Sequence, residues 1–370
     1  MIDPIERIDL FPLRIKLKRP FVISLGRVDY AENVVVKIET RSGLTGFGEC
    51  CPFQTINGES METALVVGRY LKDKLINLDP LDIEACIGRM DSIIYGNSSI
   101  KSAFDIALHD IAARSAGLPL FAFLGGKLKK TLITDYTVSF GNPEAMVAEA
   151  LEIMNQGYPA IKIKVGGTLQ EDLCRVREIR KAIRPDIPLR LDANQGWSLE
   201  TAIGVLSELD GMNIEFCEEP IPRWDFMNLA KVRKASPVPI MADESCGDHH
   251  DLERMIALGA CDYVNIKLGK SGGLYKALKM IRLAEQFEMR VQIGGFVESR
   301  LGFTASAHLA LSSGCVSWCD FDTPLMLEED PVIGGIRYGF GGVVEVPEGI
   351  GLGAGIEGKS LTKSPKGIRG

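Results

Sequence analysis

The segment Ile161-Lys-Ile-Lys164 is a short apolar run that ends on a lysine, and similar runs recur four times further along the chain. Each of these runs ends on a charged residue, at intervals of about 24 to 28 residues: Asp192, Glu218, Asp243 and Lys267. One strand, one helix and two loops occupy roughly that length. The spacing therefore predicts a parallel β/α barrel whose strand ends bring five charged side chains to one mouth.

Alternation of apolar runs with helical segments extends this prediction to a complete barrel. Helices are expected between the strands, for example over 170–183 and 272–288. The predicted strands are 132–140, 160–165, 188–193, 213–218, 238–243, 261–267, 289–295 and 315–321. The fold class is therefore α/β, with a TIM-type (β/α) barrel.

The first third of the chain has a different pattern. Residues 4–50 alternate like antiparallel strands, whereas residues 59–126 have helical spacing of apolar side chains. Strands followed by helices predict an α+β capping domain, which we place at 1–126, with the barrel at 127–325. The glycine-rich segment 326–370 is expected to return to the capping domain.

Composition narrows the choice of partners and of compartment. A net charge of −7 argues against nucleic acid or an anionic membrane as partner. Neither a signal peptide nor an apolar run of membrane-spanning length is recognisable. The nine cysteines have no regular spacing, which favours free thiols in a reducing cytoplasm. We also expect a homo-oligomer.

Asp192, Glu218 and Asp243 end three successive strands and form a candidate metal site. Oxygen ligands without histidine or cysteine favour Mg²⁺, with Mn²⁺ as a possible substitute. Asn194 shares a face with Asp192 and could support it by a hydrogen bond. Two alternatives are that the acidic residues cap the following helices, or that the adjacent Glu219 and Glu244, expected on the opposite face, are the ligands.

Three lysines flank the candidate metal site. Lys162 and Lys164 are two residues apart on one strand and should both point into the barrel. Lys267 is expected on the far side, so Lys164 and Lys267 could act as two bases facing each other across a carbon acid. A nearby divalent cation would lower their pKa values. The alternatives are ion-pair partners of the acidic cluster and a Schiff-base lysine.

The ordered motifs resemble those of the enolase superfamily, and Lys162-Ile-Lys164 resembles its muconate-lactonizing branch. The other matching motifs are Asp192-Ala-Asn-Gln-Gly-Trp197, Glu218-Glu-Pro220, Asp243-Glu-Ser245 and Asn265-Ile-Lys267-Leu-Gly-Lys-Ser-Gly-Gly273. The resemblance implies a modified, enolase-like barrel with Mg²⁺ on the three carboxylates, Asn194 and Asn265 in support, and Lys164 and Lys267 as the acid/base pair. Lys162 would tune Lys164, and the shared chemistry is proton abstraction next to a carboxylate to give an enediolate.

Within that branch, Asp320-Phe-Asp322 resembles the Asp-x-Asp signature of dipeptide epimerases. Two carboxylates on one face would hold a substrate ammonium group, although an acidic turn at a strand end is the structural alternative. The stretch from Gly294 to Gly302, which includes Gly295 and Glu298, is similar to the seventh strand and following loop of these enzymes.

Two lid loops, at about 20–30 and 52–58, are implied by the same resemblance. L-Ala-D/L-Glu epimerases have an arginine in the first loop, and its position falls on Gly26 here, one residue before Arg27. With Leu25, Phe53 and Ile56 nearby, a small or apolar side chain on the dipeptide is the expected substrate feature.

The resemblance thus predicts a Mg²⁺-dependent dipeptide epimerase. The alternatives are an L-Ala-D/L-Glu epimerase, o-succinylbenzoate synthesis, N-acylamino acid racemisation, muconate cycloisomerisation and, more remotely, non-catalytic binding of a carboxylate.

Overall fold

A computed structural model of the chain describes residues 3–127 and 130–358. The chain begins with a three-stranded antiparallel sheet and continues with helices that pack on it. The strands are β1 (Ile5–Ile23), β2 (Gly26–Thr40) and β3 (Thr45–Cys50), and the helices are α1 (Met61–Leu75), α2 (Ile83–Ile93), α3 (Ser98–Ser115) and α4 (Leu120–Phe123). The predicted capping fold is confirmed.

Strands and helices then alternate as the spacing predicts. The strands are β4 (Leu132–Ile133), β5 (Tyr136–Val138), β6 (Ile161–Lys164), β7 (Leu189–Asp192), β8 (Ile214–Glu218), β9 (Ile240–Ala242), β10 (Tyr263–Lys267), β11 (Arg290–Gly294) and β12 (Val316–Cys319). The helices are α5 (Pro143–Asn155), α6 (Leu169–Ala182), α7 (Leu199–Glu208), α8 (Phe226–Ala235), α9 (His249–Leu258), α10 (Leu268–Ser271), α11 (Leu274–Gln286) and α12 (Arg300–Ala310).

Strands β5 to β12 form one parallel sheet in sequence order. A parallel bridge between Thr134 and Cys319 joins its two edges, so the sheet curls into the predicted barrel. The predicted strand 132–140 is wrong as a single element. Residues 132–133 belong to another sheet, because the Thr134 amide donates to the carbonyl of Gly342, 2.8 Å away. Only β5 of the predicted strand therefore joins the barrel.

An apolar cluster formed by Phe216, Met241, Tyr263 and Trp318 lies on the strands β8, β9, β10 and β12. Each of these residues stands two positions before a charged or amide residue of the same inward face, such as Glu218 and Asp243. The cluster therefore lies in the barrel interior one layer below the charged side chains of the mouth, beside the buried ion pair of Arg190 and Asp135.

The C-terminal segment adds four short strands. They are β13 (Val332–Gly334), β14 (Arg337–Tyr338), β15 (Val343–Glu345) and β16 (Ala354–Ile356). Beyond β15 the chain meets the capping domain, where the Leu120 amide donates to Gly351 and the Leu352 amide donates to Asp110, at 2.8 and 2.7 Å. No helix in the described ranges has both the length and the apolar character needed to cross a membrane.

His308 links three parts of the molecule and should make folding sensitive to acid. Its Nδ1 accepts from the Phe121 amide at 3.1 Å, and Nε2 lies 3.0 Å from the Leu352 carbonyl, so the ring is neutral with its proton on Nε2. Burial lowers the pKa of His308 to about 4. The unfolded chain therefore binds this proton more readily than the folded one, and stability is lost as pH falls from about 6.5 to about 4.

We expect this loss to approach about 3 kcal/mol at pH 4. The measurement is the free energy of unfolding against pH for the protein and for His308→Gln, whose amide can make both hydrogen bonds without titrating. Exposed His250→Gln serves as the matched control. Parallel curves for the protein and His308→Gln would contradict this prediction.

Candidate active site

The charged residues at the barrel mouth are brought together by strand register. Lys164 pairs with Asp192, and Asp192 pairs with Glu218, across β6, β7 and β8. Asp243 and Lys267 follow at the ends of β9 and β10. Because alternate residues of a barrel strand face inward, all five side chains enter the same volume, where each is buried.

Each lysine of the site is bound to carboxylates. The Lys162 ammonium lies 2.8 Å from both Glu218 and Asp320 and 3.1 Å from Asp192. Lys164 lies 2.6 Å from the same Asp192 oxygen. Opposite charges in such a buried cluster compensate the cost of removing each group from water.

The cluster shifts the pKa values of its members in different directions. Burial raises the pKa of Glu218 to about 8, and the charge of Asp192 adds to that rise. Burial acts in the same direction on Asp192, but Lys164 and Lys162 outweigh it and lower the pKa of Asp192 to about 2. For Lys267, burial would lower the pKa, but the charges of Asp243 and Glu218 raise it.

The three carboxylates fit a hard divalent cation by chemistry. They are fully buried, end neighbouring strands and offer only oxygen. Asn265 donates to Glu218 at 2.8 Å, while the backbone amide of Asn194 donates to Asp192 at 3.0 Å. Within residues 3–127 and 130–358, no three His, Cys, Asp or Glu side chains converge as a formed metal site. Lysine ammonium groups instead bind the carboxylate oxygens.

Glu219 and Glu244, the alternative ligands, have separate partners. Glu219 accepts from the amides of Asp243 and Ser245, at 2.7 and 3.1 Å, and so supports the loop after β9. Glu244 accepts from the Asn194 side chain at 3.1 Å, and burial with the charge of Asp243 raises its pKa to about 7. Glu219 therefore holds backbone groups, whereas Glu244 borders the site.

A cavity above this cluster contains both candidate bases. Strands β6 and β10 are four positions apart in the eight-stranded barrel, so Lys164 and Lys267 enter from opposite sides. The cavity is lined by Phe21, Ile23, Phe53, Ile56, Thr137, Lys164, Asn194, Lys267, Gly295, Phe296, Val297, Asp320, Asp322 and Thr323. Apolar residues of the capping domain thus cover charged residues of the barrel.

Asp320 and Asp322 lie together on one side of the cavity. Asp320 is held by Lys162, whereas Asp322 accepts from the Thr137 amide at 2.7 Å through one oxygen. The second oxygen of Asp322 is buried without a hydrogen-bond partner. Burial and the charge of Asp320 raise the pKa of Asp322 to about 8, a shift that a bound cation would offset.

Three residues expected to bind substrate, Lys162, Arg27 and Glu298, do not line this cavity. Lys162 is enclosed by the carboxylates of Asp192, Glu218 and Asp320. Arg27 pairs with Asp29 at 2.7 Å, is 62% exposed and borders an adjoining open pocket, which shares Ile23, Phe53 and Val297 with the cavity. The reason is that the expected lid loop 20–30 is a β-hairpin, in which Gly26 and Arg27 already belong to β2. The Glu298 carboxylate turns back to accept from the Phe296 amide at 2.6 Å and thereby shapes the cavity wall.

Several residues of the site were missed by sequence reasoning. Lys270 is buried and lies 2.5 Å from Asp243. Lys270 stands three residues after Lys267, in a short helix, and this spacing indicates that the two side chains lie on the same face of that helix. Gln292 lies 3.3 Å from Glu218 and could have been found by strand alternation from Gly294. The backbone amide of Thr137 donates to Asp322. The sequence gives no indication of this contact, because the bond does not involve the side chain at position 137.

Relatives of the chain share nearly its whole length. The D-Ala-D/L-Ala epimerase of Cytophaga hutchinsonii is 56% identical over 95% of this chain and 96% of that protein. The L-Ala-D/L-Glu epimerase of Bacillus subtilis is 38% identical over 98% of this chain and 99% of that protein.

Solved structures show the same similarity. A dipeptide epimerase from Cytophaga hutchinsonii, complexed with Mg and D-Ala-L-Val, has a TM-score of 0.96 and 55% identity, with 98% of each chain covered. A dipeptide epimerase from Enterococcus faecalis, complexed with Mg and L-Leu-L-Tyr, has a TM-score of 0.92 and 37% identity, covering 95% of this chain and 99% of that chain. The resemblance to dipeptide epimerases is confirmed.

Family models account for both parts of the chain. Residues 7–125 match the mandelate racemase/muconate lactonizing enzyme N-terminal domain. Residues 145–360 match the enolase C-terminal domain-like family. The chain therefore belongs to the mandelate racemase/muconate lactonizing enzyme family of the enolase superfamily.

Proposed function

We propose that the protein is a Mg²⁺-dependent dipeptide epimerase that inverts the α-carbon of the C-terminal residue. The observation that carries this proposal is a single cavity with Lys164 and Lys267 on opposite sides and a carboxylate pair, Asp320 and Asp322, beside them. Two opposed bases suit removal of a proton from one face of a carbon and delivery of another to the opposite face. The carboxylate pair suits the free ammonium group of a dipeptide.

Each residue of the site has a distinct role in this reaction. One lysine, in its neutral form, takes the α-proton, and the electron pair left on the carbon delocalises into the carboxylate as an enediolate. The other lysine, in its ammonium form, returns a proton to the other face, so protons balance over one turnover. Asp192, Glu218 and Asp243 would hold Mg²⁺, which when bound stabilises negative charge developing on the substrate carboxylate. Lys162 compensates the charges of Asp192 and Glu218.

The side chain of the C-terminal residue is expected to be small or apolar. Phe21, Ile23, Phe53 and Ile56 cover the cavity, whereas the cation of Arg27 points to Asp29 outside it. A glutamate side chain would therefore lose its water without gaining a positive partner from this part of the lid. The 56% identity to a D-Ala-D/L-Ala epimerase supports the same choice.

Deuterium incorporation tests the proposed function directly. The protein is incubated in D₂O with Mg²⁺ and pools of L-Ala-L-Xaa dipeptides, and masses are read by mass spectrometry. We expect a gain of one mass unit, with inversion at the C-terminal residue, for small and apolar Xaa, and loss of exchange when a chelator removes the metal. The proposal would be contradicted if the protein bound the metal but exchanged no dipeptide in any pool, and exchanged N-succinyl amino acids instead.

We also infer that the protein works in the reducing cytoplasm as a homo-oligomer. All nine cysteines are free thiols, and seven of them are buried. Large apolar side chains such as Trp224 and Phe340, which are 75% and 82% exposed, are available for contacts between copies. Light scattering of the purified protein measures the assembly state.

A further inference from the structure

The tip of the β1–β2 hairpin is fastened to the barrel beside the candidate bases. The hydroxyl of Ser24, in the turn between the two strands, lies 2.9 Å from the carbonyl oxygen of Ala193 and 2.8 Å from that of Asn194. A serine hydroxyl has one proton, so it donates to one of these carbonyls at a time. Strand β1, which leads into this turn, has its own attachment to the barrel domain, because the Phe140 amide donates to the Val22 carbonyl at 3.0 Å.

Two glycines of the barrel form the surface on which this tip rests. Gly166 has φ of +120°, and a Cβ at that position would lie 2.9 Å from the Cβ of Ser24 and 2.7 Å from the Ala193 carbonyl. A Cβ on Gly196 would meet Gly166 at 2.5 Å. Side chains at these positions would displace the tip, so the barrel loops are shaped for close approach of Ser24.

Asn194 connects this contact to a candidate base. Its carbonyl accepts from Ser24, its amide donates to Asp192 at 3.0 Å, and its side-chain oxygen accepts from the Lys164 ammonium at 3.0 Å. Its side-chain nitrogen donates to Glu244 at 3.1 Å. The residue has φ of +41°, a conformation that asparagine tolerates better than most residues. One small residue thus joins the hairpin tip to Lys164.

Lys267 has different supports. It lies 2.7 Å from Asp243 and 5.2 Å from the centre of the Phe296 ring. Neither of these residues is on the hairpin or in the loop after β7. The hairpin also contacts Lys164 directly, since the ring centre of Phe21 lies 5.5 Å from the Lys164 ammonium. A change at the hairpin tip therefore reaches Lys164, through Asn194 and Phe21, while leaving the contacts of Lys267 intact.

We propose that Ser24 is a positioning residue, whose hydrogen bond to the Asn194 backbone aligns Lys164, and not Lys267, when the hairpin covers the cavity. This inference rests on the proposed function, because it assigns unequal support to the two bases of that reaction. The hairpin tip then has two roles: it covers the cavity and excludes water, and it helps to align one of the two bases.

The test compares Ser24→Ala, Ser24→Thr and the control Ser42→Ala, a hydroxyl in the turn at the other end of the same sheet. The rate of α-proton loss is measured in D₂O separately from each epimer of one dipeptide, and Lys164→Ala identifies the epimer that depends on Lys164. Ser24→Ala should slow that epimer about tenfold and change the other less than twofold. Ser24→Thr should restore the rate, and Ser42→Ala should leave both unchanged.

An equal fall for both epimers, or no fall, would overturn the positioning role. A second measurement needs no substrate: amide hydrogen exchange of residues 20–30 should be faster in Ser24→Ala than in Ser42→Ala. Unchanged exchange there would show that the hydroxyl does not hold the tip. Failure of the proposed function is recognised differently, since the unmodified protein would then exchange neither epimer while the amide measurement still responds to Ser24.

Discussion

Replacing Lys267 or Lys164 with alanine should lower epimerisation in both directions by about a thousandfold or more, since each direction needs both bases. The two variants should nevertheless differ. With Lys164 absent, Lys267 can still remove and return a proton on its own face, so one epimer continues to exchange with solvent without inversion. With Lys267 absent, Lys164 should in the same way exchange the α-proton of the other epimer without inversion. This crossed pattern follows from the entry of the two side chains from opposite sides of one cavity.

The measurement is deuterium uptake by each epimer, with chiral analysis of the product. Lys181→Ala, an exposed lysine paired with Glu178, is the matched control. Because alanine leaves a buried carboxylate without its cation, a second pair of variants, Lys164→Arg and Lys267→Arg, keeps the charge while removing a group that can act as a base. Exchange of the same epimer in both alanine variants would contradict the two-base arrangement.

The gathering of charges at the mouth was predictable because it depends on two periodicities. The βα repeat places Asp192, Glu218 and Asp243 at successive strand ends, and strand alternation turns them inward. Burying five charges at such positions is costly, so the pattern itself indicates a site. The structure agrees, with each of the three carboxylates fully buried at the mouth.

Contacts between distant parts of the chain could not be predicted in this way. The hydrogen bond from Ser24 to Ala193 spans 169 residues, and no local pattern encodes it. The same holds for the break in the predicted strand 132–140, which depends on a backbone bond between Thr134 and Gly342. The position of Arg27 depends on such a contact only in part: the pairing of β1 with β2 places it in a strand instead of a loop, and strand alternation then puts it on the same face as Asp29.

Asp322→Asn should weaken use of dipeptides by about a hundredfold in kcat/KM, because truncating one partner of a buried charge pair costs about 2 to 5 kcal/mol. The expected site of action is the unpartnered oxygen of Asp322, which lies at the cavity next to Asp320. Burial and Asp320 raise the pKa of Asp322, and a bound ammonium group would relieve that repulsion. Asp320→Asn should also weaken dipeptide use and, in addition, disturb Lys162.

A comparison of substrates separates recognition of the amine from general damage. The ratio of kcat/KM for a dipeptide to that for its N-acetyl analogue, which has no ammonium group, should fall in Asp322→Asn. Exposed Asp186→Asn should leave the ratio unchanged. If both substrates lose the same factor, Asp322 supports the fold of the cavity and does not recognise the amine. If kcat/KM falls for the dipeptide and not for the N-acetyl analogue, Asp322 recognises the ammonium group, because only a substrate with that group loses a charged partner when the aspartate becomes an amide.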